Sequence, residues 1–204
     1  MMDRRTILIL ALACLAAAGG WWLQYRWTHQ LPTQPPAPAG VATLGIGDSA
    51  SGYSLPDLDG QATTLAKWHG KVVLLNFWAT WCHPCLQEMP MLEKFQREHA
   101  SNGVQVVGVA MEQPQSAAAF VKQVKVNYPV LIGIDADPVP TTIFGDTGGY
   151  LPYSVLIGRD GRILATKLGP LDADTIKEWL SEAHSTEVLP RIHTDHTDKA
   201  WISR

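Results

Sequence analysis

The sequence predicts an α/β domain built on a central sheet, carried behind an apolar N-terminal segment. Two observations predict the domain. From about residue 46, strand-length apolar runs alternate with helix-length amphipathic ones. The runs 71–78 and 104–110 are apolar at nearly every position, as strands buried on both faces of a sheet must be. With 204 residues, the chain has room for one ordinary domain and an appendage, and 46% apolar residues suffice for a core without staples. A formal charge of -3 gives no argument for nucleic acid as a partner.

The appendage comes first. Arg4 and Arg5 precede an uncharged run from Thr6 to Tyr25, within which residues 7–23 would form a helix of roughly 26 Å. Trp21, Trp22, Tyr25 and Trp27 gather at its far end, where aromatic rings favour a membrane interface, and the arginines predict an N-inside orientation. Residues 1–27 are therefore expected to anchor the chain in a bacterial inner membrane by a single pass, with the domain in the periplasm. A cleaved signal ending near Ala16-Ala17-Ala18 and a lipoprotein signal at Leu12-Ala13-Cys14 are the two alternatives, and all three imply export. Residues 28–45 read as a spacer, because Pro32, Pro35, Pro36 and Pro38 favour extended backbone and forbid a helix.

Residues 46–184 hold the domain. Residues 54–60 carry the alternation and Asp-Gly turn of a short hairpin. After the buried strand 71–78, residues 84–100 place Leu86, Met89, Leu92 and Phe95 at helical spacing, and Asn102-Gly103 ends that helix. Pro90 removes its bond to the carbonyl of Leu86 and is expected to bend it. A strand over 104–110, a helix over 116–124 and a short strand over 128–132 follow. Residues 152–157 and 162–165 flank Arg159-Asp160-Gly161 as a hairpin, and a helix over 172–183 closes the domain on the stripe Leu171, Ile176, Trp179 and Leu180. Four or five strands are expected. Residues 185–204 read as a polar tail, its His193, Asp195, His196 and Asp198 included.

Three cysteines are too few for a secreted disulfide scaffold, and Cys82 and Cys85 close a loop too short to staple a fold. The close pair points to redox chemistry or to half a metal site, and no second pair completes a structural zinc centre. The pair sits where a buried strand gives way to a helix. There the unpaired N–H groups and the helix dipole favour a thiolate. Cys82 is expected to be the exposed nucleophile, with Cys85 one turn inward as the resolving thiol and Pro84 presetting the first turn. His83, when protonated, would stabilise the Cys82 thiolate and make the disulfide more oxidising. Trp78 and Trp81 are expected to pack around the cysteines.

Residues 76–85, Asn-Phe-Trp-Ala-Thr-Trp-Cys-His-Pro-Cys, followed by Glu88-Met89-Pro90, closely resemble the TlpA/ResA-like branch of the thioredoxin superfamily, of the AhpC/TSA-redoxin type. The resemblance runs from about Gly47 to His184. It implies a thioredoxin fold, a mixed sheet flanked by helices, and dithiol–disulfide exchange outside the cytoplasm. It also implies that Pro152 is a cis proline beside the cysteines, and that Glu88 takes up the proton of Cys85. Asn76 departs from thioredoxin itself, which carries a buried acid at the matching position, and this departure puts more weight on Glu88.

The expected function is a disulfide reductase acting on protein disulfides, with roles in cytochrome c maturation or copper-site assembly implied by the resemblance. No organic cofactor is needed, and the resemblance implies re-reduction by a membrane electron donor of the DsbD/CcdA type. A disulfide-donating oxidase remains an alternative with the same residues. A copper metallochaperone using both cysteines and a histidine is an alternative of another class.

Overall fold

Seven residues with no ionisable side chain, Val72–Trp78, form the central strand β3 of the sheet. Even-numbered members face one side and odd-numbered members the other, as the twofold period of a strand requires. Val72, Leu74 and Trp78 enter one buried cluster, and Val73, Leu75 and Phe77 enter a second on the opposite face. This computed structural model describes residues 34–188 continuously, with side chains to 184, and nearer the N-terminus residues 3, 5, 12, 14–22 and 24.

The chain divides into two units, Met1–Gln34 and Pro35–Arg204. In the first, residues 14–22 are helical and exposed, and Cys14 is a free thiol. No helix among the described residues is long and apolar enough to cross a membrane. The anchor expected over residues 1–27 falls largely on residues outside the described ones, as does the tail beyond Val188.

In the second unit, β1 (Ser54–Pro56) and β2 (Ala62–Thr64) form a separate antiparallel hairpin. The Asp57 carboxylate closes its turn by accepting from the N–H groups of Asp59 and Gln61. The main sheet has five strands in the order β5-β4-β3-β6-β7. Strand β4 (Val104–Ala110) runs parallel to β3, and β5 (Val130–Ile132) runs parallel to β4. Strands β6 (Tyr153–Ile157) and β7 (Ile163–Leu168) continue the other edge antiparallel.

Helix α1 (His83–His99) lays Cys85, Glu88, Met89, Leu92, Phe95 and Gln96 against the sheet. It is continuous through Pro90, whose exposed position keeps its ring off the buried stripe. Gln96 joins helix to strand, its side-chain oxygen accepting from the Val106 N–H at 2.6 Å. Helices α2 (Pro114–Val124), α3 (Pro140–Ile143) and α4 (Ala173–Val188) complete the domain. Asp172 caps α4 by accepting from the Thr175 N–H. That bond, followed by the Lys167 ammonium, pulls its carboxyl down to about 2.

Several boundaries differ from the expectation for identifiable reasons. Helix α2 starts at Pro114, because proline suits the first turn. Strand β5 is three residues long because its ladder with β4 is confined to Gly108–Ala110. Helix α3 and a 3-10 turn at Leu65–Trp68 are too short to leave a periodic signal.

Candidate active site

Strand β3 ends at Trp78, and the chain turns so that the Cys82 N–H bonds the Ala79 carbonyl at 3.1 Å. Cys82 caps α1, its sulfur accepting from the Cys85 N–H at 3.3 Å, and Pro84 occupies the first turn. Cys82 and Cys85 form a disulfide with Cα atoms 5.3 Å apart. Cys82 retains 5% exposure and Cys85 none. The order of accessibility is the expected one, but Cys82 is nearly covered rather than exposed, since its sulfur is bonded inward to Cys85 and to the cap.

Trp81 corrects a second expectation. It is 69% exposed and packs into neither core cluster, whereas Trp78 is fully buried beside both cysteines. Trp78 still obeys the alternation of β3. Trp81 lies beyond the strand, in a turn with no sheet neighbour to cover it. His83 is exposed as well, its ring 3.1 Å from the Gln87 amide one turn along the helix.

Glu88 lies one turn beyond Cys85 on the buried stripe of α1, at 4% exposure. The Asn76 side-chain N–H2 donates to its Oε1 at 2.7 Å, and the Leu171 N–H donates to its Oε2 at 2.8 Å. Asn76 also donates to the Ser154 hydroxyl at 3.0 Å, a contact the ladder creates because the two residues are paired across β3 and β6. Burial pushes the Glu88 carboxyl above its ordinary value, while the Leu171 and Asn76 donors and the Lys167 ammonium pull the other way. The balance is a carboxyl held closer to neutrality than a surface glutamate.

The Leu151–Pro152 peptide bond is cis, as the resemblance implied, and Pro152 is buried. Pairing of Phe77 with Tyr153 brings Pro152 to the end of β3 that leads into the cysteines. A second cis bond, Asp137–Pro138, had no counterpart in the expectations. No group of three or more His, Cys, Asp or Glu among the described residues is arranged to hold a metal ion.

Two residues of this region went unread in the sequence. Ser154 is an ordinary strand residue until β6 is paired with β3. Glu112 lies two residues past the end of β4, at 8% exposure, and accepts from both the N–H and the hydroxyl of Thr80. Its signal was an acid at the carboxyl end of a buried parallel strand, where sites of α/β sheets gather.

A five-stranded mixed sheet bearing a disulfide at the β3–α1 junction, with a cis proline alongside, defines a thioredoxin-like thiol–disulfide oxidoreductase. The chain belongs to the Redoxin family, which it matches over residues 36–181. It is 32% identical over 140 residues to the thiol–disulfide oxidoreductase ResA of Bacillus thuringiensis subsp. konkukian, covering 68% of this chain and 79% of the relative. It is 41% identical over 116 residues to the thioredoxin-like protein YneN of Bacillus subtilis, covering 52% of this chain and 68% of that one. Among solved structures, a thiol:disulfide interchange protein of Chlorobium tepidum superposes with a TM-score of 0.57 at 29% identity, covering 68% of this chain and 97% of that one. StoA of Bacillus subtilis gives 0.51 at 28% identity, covering 63% and 95%.

Proposed function

We propose that the chain is an extracytoplasmic disulfide reductase, anchored in the membrane by residues 1–27 and spaced from it by residues 28–45. Residues 46–184 form its catalytic domain, and 185–204 form a polar tail. The localisation rests on Arg4, Arg5 and the apolar run behind them. The observation that carries the chemistry is the fully buried Cys85 one helical turn from the buried Glu88.

In the reduced protein the Cys82 thiolate attacks one sulfur of a substrate disulfide. A mixed disulfide forms, and the other substrate sulfur leaves as a thiolate. Glu88 takes the proton of Cys85, whose sulfur then attacks the Cys82 sulfur and expels the second substrate thiolate. Two electrons pass to the substrate, and the Cys82–Cys85 disulfide is left behind. A membrane dithiol donor of the DsbD/CcdA type returns those electrons. Pro152 shapes the groove in which the substrate chain lies. Trp81, His83 and Pro84 tune the pair from its exposed side. Substrates are exported proteins whose cysteines must be reduced before haem or copper is attached.

The test uses the full-length chain in detergent. Cys85→Ser should accumulate a mixed disulfide through Cys82 with a disulfide-bearing substrate, detected by intact mass. In glutathione buffers, a wild-type potential between about -200 and -270 mV supports the reductase, whereas one near about -120 mV favours disulfide donation. Failure to cycle, together with stoichiometric Cu(I) binding, would replace both with a copper carrier.

A further inference from the structure

We infer that Glu112 is a positioning residue of this dithiol, holding the turn that carries Cys82 and setting the redox equilibrium of the pair through its negative charge. The inference rests on the exchange chemistry proposed above and adds to it a residue outside the helix that bears the cysteines. Thr80 stands two positions before Cys82, inside the turn closed by the Cys82 N–H on the Ala79 carbonyl. Both oxygens of Glu112 are used on it: Oε1 accepts from the Thr80 N–H at 2.9 Å and Oε2 from its hydroxyl at 2.6 Å. The segment is tied down a second time, because the Met111 N–H donates to the Trp78 carbonyl at 2.8 Å. The connection after β4 therefore grips the connection after β3 at the point where β3 hands over to the active-site turn.

Such a grip does not require an acid. A glutamine of the same length would bond the Thr80 backbone N–H and hydroxyl with less desolvation, since a charge held at 8% exposure is costly. The acid has an electrical consequence that a neutral residue lacks. Reduction of the disulfide places a thiolate on Cys82, and a carboxylate against the same turn opposes it. Glu112 thus works against the helix terminus of α1 and favours the disulfide. The reduced protein becomes the stronger electron donor.

The experiment equilibrates full-length wild type, Glu112→Gln and Thr80→Val with glutathione at pH 7, where two glutathione thiols become one glutathione disulfide as the protein pair is reduced. Glutamine keeps the shape and bonding capacity while removing the charge. Glu112→Gln should shift the equilibrium towards the dithiol about tenfold, or ~30 mV, with faster alkylation of Cys82 by iodoacetamide. Thr80→Val keeps the charge and removes its shorter bond, so the same equilibrium should move at least twofold towards the disulfide. An unchanged equilibrium in Glu112→Gln, or movement towards the dithiol in Thr80→Val, overturns the proposal. The valine arm decides alone should the glutamine variant not fold. A wild-type pair that does not exchange with glutathione at all would instead overturn the redox reading beneath it.

Discussion

Asn76 and Glu88 meet at 2.7 Å between strand β3 and helix α1, joining the centre of the sheet to the turn of helix that follows Cys85. Thioredoxin's own buried acid lies on the strand at this point. Here the amide is on the strand and the acid on the helix, so the buried acid is carried by the same element as Cys85.

Burial raises the Glu88 carboxyl, so the folded chain keeps this proton to higher pH than the unfolded one. The stability contributed by the neutral carboxyl is complete below its ordinary value of 4.5 and is lost as pH rises through the folded value. Glu88→Gln cannot ionise. Its Tm, followed by circular dichroism, should stay flatter than that of wild type across this window. The same variant should slow resolution of a Cys82 mixed disulfide on the order of 100-fold, the usual effect of losing a positioned base.

Asn76→Ala leaves Glu88 with the Leu171 donor alone and should raise its carboxyl pKa further, read by carboxyl-carbon NMR. Asn76→Asp places two carboxyls in contact, which then share a proton. That variant should lose stability steeply above neutral pH, where Asn76→Ala does not.

His83 is exposed and touches Gln87, so its replacement tests charge rather than packing. His83→Gln should move the glutathione equilibrium towards the disulfide by a factor of about two to ten, corresponding to at most ~30 mV. An equilibrium equal to that of wild type would make His83 a bystander.

Gly108 lies across from Asn76 in the β3–β4 ladder, and a Cβ there would come within 2.9 Å of the Trp78 indole nitrogen and 3.3 Å of the Tyr128 ring. Gly108→Ala should cost about 1–3 kcal/mol in urea unfolding, as overpacked cores do. Because Trp78 packs in one cluster with both cysteines, the same change should also alter the fluorescence difference between the oxidised and reduced protein.

The two cysteines, the strand before them and the helix after them could all be read along the chain. Their placement depends on local rules: a buried strand, a capping position, a proline in the first turn and an apolar stripe at helical spacing. Glu88 was picked out by the family resemblance, one helical turn beyond Cys85, and Asn76 in place of a buried acid added weight to it. The partners of Glu88 were not readable. Leu171 is 83 residues away, Ser154 reaches Asn76 from 78, and Glu112 reaches Thr80 from 32. No periodicity links positions so far apart; the order and register of five strands bring them together. The sequence by itself therefore determined where the disulfide forms and which acid follows it one helical turn later. The tertiary structure decided how Glu88 is held, how little of Cys82 is accessible, and which distant acid stands behind the turn. The physical reason is that capping and helical spacing act within a few residues, whereas burial and hydrogen bonding across a sheet exist only once its strands are paired.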